Sequence, residues 1–155
     1  MTRRLAMLCA MSVAAYVPVA AAQGVPGEDS LKLTHQTLMT AITSGNPAML
    51  QSVISRRSLG FFRDSQIIVQ LSGDYGPNEA IPSVMADLGR FTMSPYDTVY
   101  RVSGATGIVC MAAALQPKKG ERTQPRFLRS TWVYAYLDGA WQLLSWHSSD
   151  VPLNK

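Results

Sequence analysis

The sequence predicts an α+β fold in which helices come first and a meander of antiparallel strands follows. Three observations carry that prediction. Leu31, His35, Leu38 and Ile42 recur at helical spacing, and the pattern stops at Gly45. From Arg90 onward the chain reads as four extended stretches divided by turn chemistry. The last two stretches, rich in aromatic and β-branched residues, are joined by Asp138-Gly139 alone. That pair suits a type I′ hairpin turn, because glycine takes positive φ freely and aspartate better than most residues. Helices and strands kept in separate blocks define the α+β class.

In chain order, Arg3-Arg4 precedes an uncharged run from Leu5 to Ala22 that ends in Ala20-Ala21-Ala22. Basic start, apolar run and small residues together read as a secretory signal peptide over residues 1–22. A membrane anchor is the competing reading, but Tyr16 and Pro18 interrupt a run already short for a bilayer span. The expectation is an exported chain, periplasmic or secreted, with no membrane attachment after cleavage near Ala22. Residues 23–30 form a Gly- and Pro-containing leader, and the folded domain spans 31–155.

Ser30 is the expected N-cap of a helix over residues 31–44. Asn46 and Pro47, a good N-cap and a residue preorganised for the first helical position, open a shorter helix carrying Met49, Leu50, Val53 and Ile54. Leu59 to Leu71 reads as two short strands separated by Arg63-Asp64-Ser65. Residues 73–78 are loop chemistry, and Ile81, Val84, Met85 and Leu88 predict a third helix with Pro82 in its first turn. Strands are expected at 96–102, 106–115, 126–137 and 140–148.

Pairing Leu137 with Ala140 places Trp132, Tyr134, Tyr136, Trp141, Leu143, Ser145 and His147 on one face of the closing hairpin. Thr131, Val133, Ala135, Leu137, Gln142, Leu144 and Trp146 fall on the other. A sheet with one wetted side alternates apolar with charged residues, and this hairpin does not. Both faces are therefore expected to be covered, one by the chain's helices and the other by a second subunit or a small molecule.

Charge and cysteine content narrow the function classes. Of 14 basic residues against 10 acidic, two are Arg3 and Arg4 of the leader, so the formal charge of +4 falls once the leader is gone. No dense basic patch with interleaved aromatics supports nucleic-acid binding. Cys110 is the one cysteine after residue 22, which excludes an intrachain disulfide, and its apolar neighbours Ile108-Val109 and Met111-Ala112 predict a buried, inert thiol. Two isolated histidines and one thiol offer no short metal-ligand spacing, and no phosphate-binding glycine loop or nucleophile elbow occurs. Neither a metal nor a cofactor is expected.

The run Thr131 to Ser149 resembles the closing hairpin of nuclear transport factor 2-like domains. It is most similar to the association (hub) domain of calcium/calmodulin-dependent protein kinase II and its SnoaL-like bacterial relatives. The residues that carry the resemblance are Thr131, Asp138-Gly139, Trp141, Leu143-Leu144, His147, Ser149 and Pro152. The resemblance implies a cone-shaped (cystatin-like) fold with three N-terminal helices on a curved antiparallel sheet, a homodimer through that sheet, and a central pocket. It also implies a superfamily spanning ketosteroid isomerase, dehydratases, cyclases, hydrolases and members without catalysis, so fold does not settle function. Where the hub domain places pocket arginines, this chain has Trp132 and Ser148.

Against that background His147 matches the family's histidine and is either a general base near neutral pH or a structural ring satisfied locally. His35 stands in the apolar stripe of the first helix, where a polar group needs a partner or a cavity. Asp64 lies roughly where ketosteroid isomerase-like enzymes carry a proton-moving carboxylate, or pairs with Arg63 at the surface. Asp97 and Arg101 share a strand face, as an ion pair or as pocket lining with Trp132 and Tyr134. The first functional expectation is noncovalent binding of a small organic ligand in an apolar pocket. The alternatives are a cofactor-independent isomerase, lyase or hydrolase using Asp64 or His147 as base, and a dimerisation or oligomerisation module.

Overall fold

A computed structural model describes residues 24–61, 69–72 and 87–151. Helix α1 runs Glu28–Ser44 and α2 runs Pro47–Val53. Among the described residues six strands follow, β1 Ile54–Phe61, β2 Val69–Ser72, β3 Phe91–Ser103, β4 Thr106–Pro117, β5 Arg126–Leu137 and β6 Ala140–Val151. They form one sheet in the order β2-β1-β6-β5-β4-β3, antiparallel throughout except where β1 lies parallel to β6. The α+β class holds. Among the described residues there are two helices, and the expected third lies outside them except for a short helical piece at Asp87-Leu88.

Local chemistry sets the helix ends. The first helix starts at Glu28 rather than after Ser30; Gly27 is its N-cap, and Glu28 and Asp29 occupy the first turn, where carboxylates oppose the positive end of the helix dipole. Gly45 closes it in the left-handed region at φ 67°, with its N–H on the Ile42 carbonyl. The side chain of Asn46 accepts from Met49 N at 3.1 Å, as its identity predicts. Ile54 begins β1 instead of ending α2, since a β-branched residue paired with Leu143 of β6 fits a strand better than a helix end. β3 is longer than expected at both ends. Its Pro95 is tolerated because β3 is an edge strand, and the register shifts beside it at Tyr96.

The helices cover one face of the sheet. Leu31, Leu38 and Ile42 of α1 pack with Val109, Leu115, Leu128, Trp132, Tyr134, Leu143 and Trp146 in a single buried cluster. Two glycines permit the close approaches inside it. A Cβ on Gly60 would stand 2.5 Å from the Trp146 ring and 2.7 Å from the Trp146 carbonyl oxygen, so β1 lies beside β6 only without a side chain there. At Gly107 the same atom would meet the Leu31 methyls at 2.8 Å.

Asp138 and Gly139 both have positive φ, 51° and 84°, and Leu137 faces Ala140, so the hairpin turn is the one expected. The register then changes. Tyr134 pairs with Leu143 but Val133 pairs with Ser145, which leaves Leu144 as an extra residue in β6. Every side chain beyond the bulge changes face. Trp146 turns inward against Trp132 and is 1% exposed, while Ser145 and His147 turn outward beside Val133 and Thr131. The expected grouping of Ser145 and His147 with Trp132 and Tyr134 is therefore corrected by one bulged residue.

Candidate functional site

Two groups of side chains emerge, one on each face of the sheet. On the inner face His35 is 2% exposed and its Nδ1 lies 2.7 Å from the Tyr134 hydroxyl. Helical spacing points His35 at the sheet, and strand alternation brings Trp132 and Tyr134 up to meet it. The imidazole makes edge contacts with Tyr100, Trp132 and Tyr134, at ring separations of 6.0, 5.8 and 6.0 Å. Trp132 Nε1 donates to Ser130 Oγ at 2.8 Å. Ser148 Oγ, also buried, has no partner among the described residues.

Burial among rings penalises the imidazolium and lowers the His35 pKa from 6.5 to about 4. The same desolvation raises Tyr134 well above its ordinary value, so both groups are neutral near pH 7. With the Tyr134 hydroxyl donating to Nδ1, the His35 proton sits on Nε2, which has no partner among the described residues. The opposite tautomer would leave both an unfilled Nε2 acceptor and an unmet hydroxyl proton. The first arrangement wastes less, and it presents one neutral N–H donor in aromatic surroundings.

That depressed pKa has a thermodynamic consequence. The unfolded chain binds the His35 proton at about pH 6.5 and the folded chain near 4, so the unfolded state holds more protons between those values. Stability is complete above pH 6.5, declines as pH falls through the window and levels off below 4, by on the order of 3 kcal/mol. Urea titrations from pH 4 to 7 read this directly. The double substitution His35→Phe with Tyr134→Phe flattens that slope, and an unchanged slope would assign it to other groups.

The outer face carries the second group. Phe61, His147, Thr131, Cys110 and Val99 form one row across five strands. Ser149, Arg129, Ala112 and Asp97 form the next. All of these except Phe61 line a groove of about 420 Å³. Arg129 Nε donates to Ser149 Oγ at 3.0 Å, and Phe61 meets the His147 ring edge-on at 6.5 Å. Cys110 is exposed here, contrary to the expected burial, because Val109 and Met111 take the inner positions on either side of it. Arg101 lies farther along this face; its guanidinium donates to the Tyr100 carbonyl at 2.7 Å and approaches Glu28 at 3.9 Å, not Asp97.

The structure thus brings His35, Trp132 and Tyr134 together and puts His147 and Arg101 on the other side of the sheet. The last two cannot join His35 in one catalytic set. Asp64 lies outside the described residues, as does Pro152. Sequence reasoning missed Arg129 as a groove residue; a charged side chain set between inward-facing Leu128 and Ser130 was the available signal. It also missed Arg126, which stands over the Phe91 ring at 4.5 Å and reaches Asp87 at 3.5 Å on the inner face. Among the described residues no group of three metal-ligating side chains occurs, and no helix is long and apolar enough to cross a membrane.

No family model and no curated protein sequence matches the chain. Solved structures do. An NTF2-like protein from Cytophaga hutchinsonii superposes with a TM-score of 0.62 at 18% identity, covering 79% of this chain and 97% of its own. The chain has a nuclear transport factor 2-like fold. Within that fold it is also similar to a candidate dehydratase from Streptomyces avermitilis, with a TM-score of 0.65, 16% identity, and 81% and 96% coverage. The calcium/calmodulin-dependent kinase II hub from S. rosetta superposes with a TM-score of 0.62 at 14% identity, covering 81% of this chain and 97% of the hub. Identities this low carry the fold and nothing finer. In this nuclear transport factor 2-like fold His35 stands on α1, the helix that packs on the inner face of the sheet.

Proposed function

We propose that this nuclear transport factor 2-like domain is exported and binds a small, largely apolar molecule noncovalently on the inner face. The observation that carries the reading is the buried Nε2 of His35, a neutral donor without a partner among the described residues, framed by Tyr100, Trp132 and Tyr134. A buried unmet donor costs about 1–3 kcal/mol, and a ligand's carbonyl or ether oxygen would recover it. The aromatic rings supply the apolar contact area and Nε2 the orientation. The expected result is that small cyclic ketones raise the melting temperature of the wild-type protein, and that His35→Phe with Tyr134→Phe abolishes the shift. Absence of any shift, together with native mass spectrometry of protein from its own host showing no retained molecule, would sink the reading.

The same donor supports a catalytic alternative. An N–H in low dielectric stabilises a developing oxyanion, and a candidate ketosteroid isomerase from Shewanella frigidimarina shares the fold with a TM-score of 0.64 at 18% identity. In this reading Asp64 is the base and His35 the donor.

The outer face favours a further reading, self-association. Val99, Ile108, Leu59, Phe61 and Leu137 are each about 40% exposed on that one face. Apolar surface gathered on one side of a sheet marks an interface more often than scattered exposed residues do. Sedimentation velocity reads it as a dimer that dissociates on dilution.

A further inference from the structure

The groove on the outer face is bordered by two opposite charges that the inner site does not use. Asp97 of β3 and Arg129 of β5 share a row with Ala112 of β4 between them, so a methyl group floors the space separating a carboxylate from a guanidinium. At about 4.8 Å per strand their Cα atoms stand roughly 10 Å apart. Among the described residues Asp97 makes no ion pair or hydrogen bond, and Arg129 uses only Nε, on Ser149 Oγ at 3.0 Å.

Two local devices put these charges there. Pro95 stands opposite inward-facing Ala113, so in plain alternation Tyr96 would take the outer place beside Ala112 and Asp97 would turn inward. The register shift at Tyr96 adds one residue and sets Asp97 outward instead. On the other wall, the bond to Ser149 steadies the Arg129 guanidinium and leaves its Nη donors for another acceptor.

From this arrangement we propose that the groove binds a short amino acid as its zwitterion, with the ammonium on Asp97 and the carboxylate on the Nη groups of Arg129. A plain carboxylate would meet Arg129 favourably and Asp97 unfavourably, and a plain amine the reverse; only a molecule carrying both charges satisfies both walls. Contacts of about 2.8 Å at each end of a roughly 10 Å span leave about 4–5 Å between nitrogen and carboxylate oxygen, the reach of an amino acid with two carbons between those groups. The groove, at about 420 Å³, has room for a substituent as well. The site is independent of the inner-face ligand and of self-association. Leu59, Ile108 and Leu137 lie toward the Asp138-Gly139 turn, across the Cys110–Thr131 row from Asp97 and Arg129, so that apolar surface is offset from the charged row.

Titration of β-alanine into isotope-labelled protein, followed by backbone amide chemical shifts, tests the site. β-Alanine is expected to bind with a Kd of about 1 mM or tighter, and propionate and ethylamine at least about ten-fold more weakly. The largest shifts should surround Asp97, Ala112 and Arg129. Asp97→Asn and Arg129→Gln, both at exposed positions where substitution costs little stability, are each expected to weaken binding at least about ten-fold. Exchanging the charges, Asp97→Arg with Arg129→Asp, is expected to restore it to within about five-fold, because the zwitterion can bind turned end for end. The absence of saturable shifts up to about 50 mM β-alanine overturns the proposal. Shifts centred on His35 and Tyr134, propionate bound as tightly as β-alanine, single variants that bind like the wild type, or a charge exchange that restores nothing overturn it too.

Discussion

Replacing Trp132 with alanine is expected to lower the free energy of unfolding by about 3–5 kcal/mol, measured by urea denaturation at pH 7. Trp132 is fully buried, its ring meets His35 of α1 edge-on, and it stands opposite Trp146 of β6 in the register of the sheet. Removing it opens a cavity that rigid aromatic neighbours cannot close, and it leaves Ser130 Oγ buried without its donor. The loss is a large fraction of the roughly 5–15 kcal/mol that holds an ordinary domain folded. Leu137→Ala on the outer face, where the residue is 40% exposed, is the control and should cost under about 1 kcal/mol. Similar losses for the two would contradict the inner packing described above.

Deleting Leu144 is expected to leave the protein folded, whereas deleting Val133 opposite the bulge is not. Without Leu144 the chain passes from Leu143 straight to Ser145, and the pairs Tyr134–Leu143, Val133–Ser145 and Trp132–Trp146 stand in unbroken register, with Trp146 still inside and His147 still outside. Without Val133 the alternation of β5 breaks beside Tyr134, which sends the Trp132 indole into water and pushes Thr131 and Arg129 under the helices. Exposing a tryptophan and burying a charged guanidinium together exceed what the domain can lose, so the Val133 deletion should show no cooperative thermal transition and should bind a hydrophobic dye. The Leu144 deletion should unfold cooperatively. An unfolded Leu144 deletion, or a cooperatively folded Val133 deletion, would contradict the register of the closing hairpin.

Those two variants also show why some of the architecture was legible in the residues and some was not. The turn at Asp138-Gly139, the cap at Asn46 and the stop at Gly45 are local devices, each decided by the backbone freedom or side-chain oxygen of one residue. They could be read without knowing what packs where. Convergence of His35 with Trp132 and Tyr134 was nearly as accessible, because helical spacing and strand alternation each point one side chain at the other. The bulge carries no such mark. Leu143, Leu144 and Ser145 contain neither glycine nor proline, and what selects the shifted register is tertiary, the fit of the Trp146 ring against Gly60 of a strand more than eighty residues away. Cys110 was misread for a related reason. Five apolar residues in succession hide the alternation that puts every second one outside.

The parallel pairing of β1 with β6 has a consequence for the order of events when the chain folds. β6, the last of the described strands, is interior to the sheet, with β1 and β2 attached on one side of it and β5 to β3 on the other. The N-terminal strand pair therefore has no neighbour to dock on until the C-terminal hairpin has formed. Contacts of such long sequence separation close slowly, because the intervening chain must be ordered first. A nascent chain would hold its helices and β1 open until β6 was available, and a chain lacking β6 would have two half-sheets and nothing to join them.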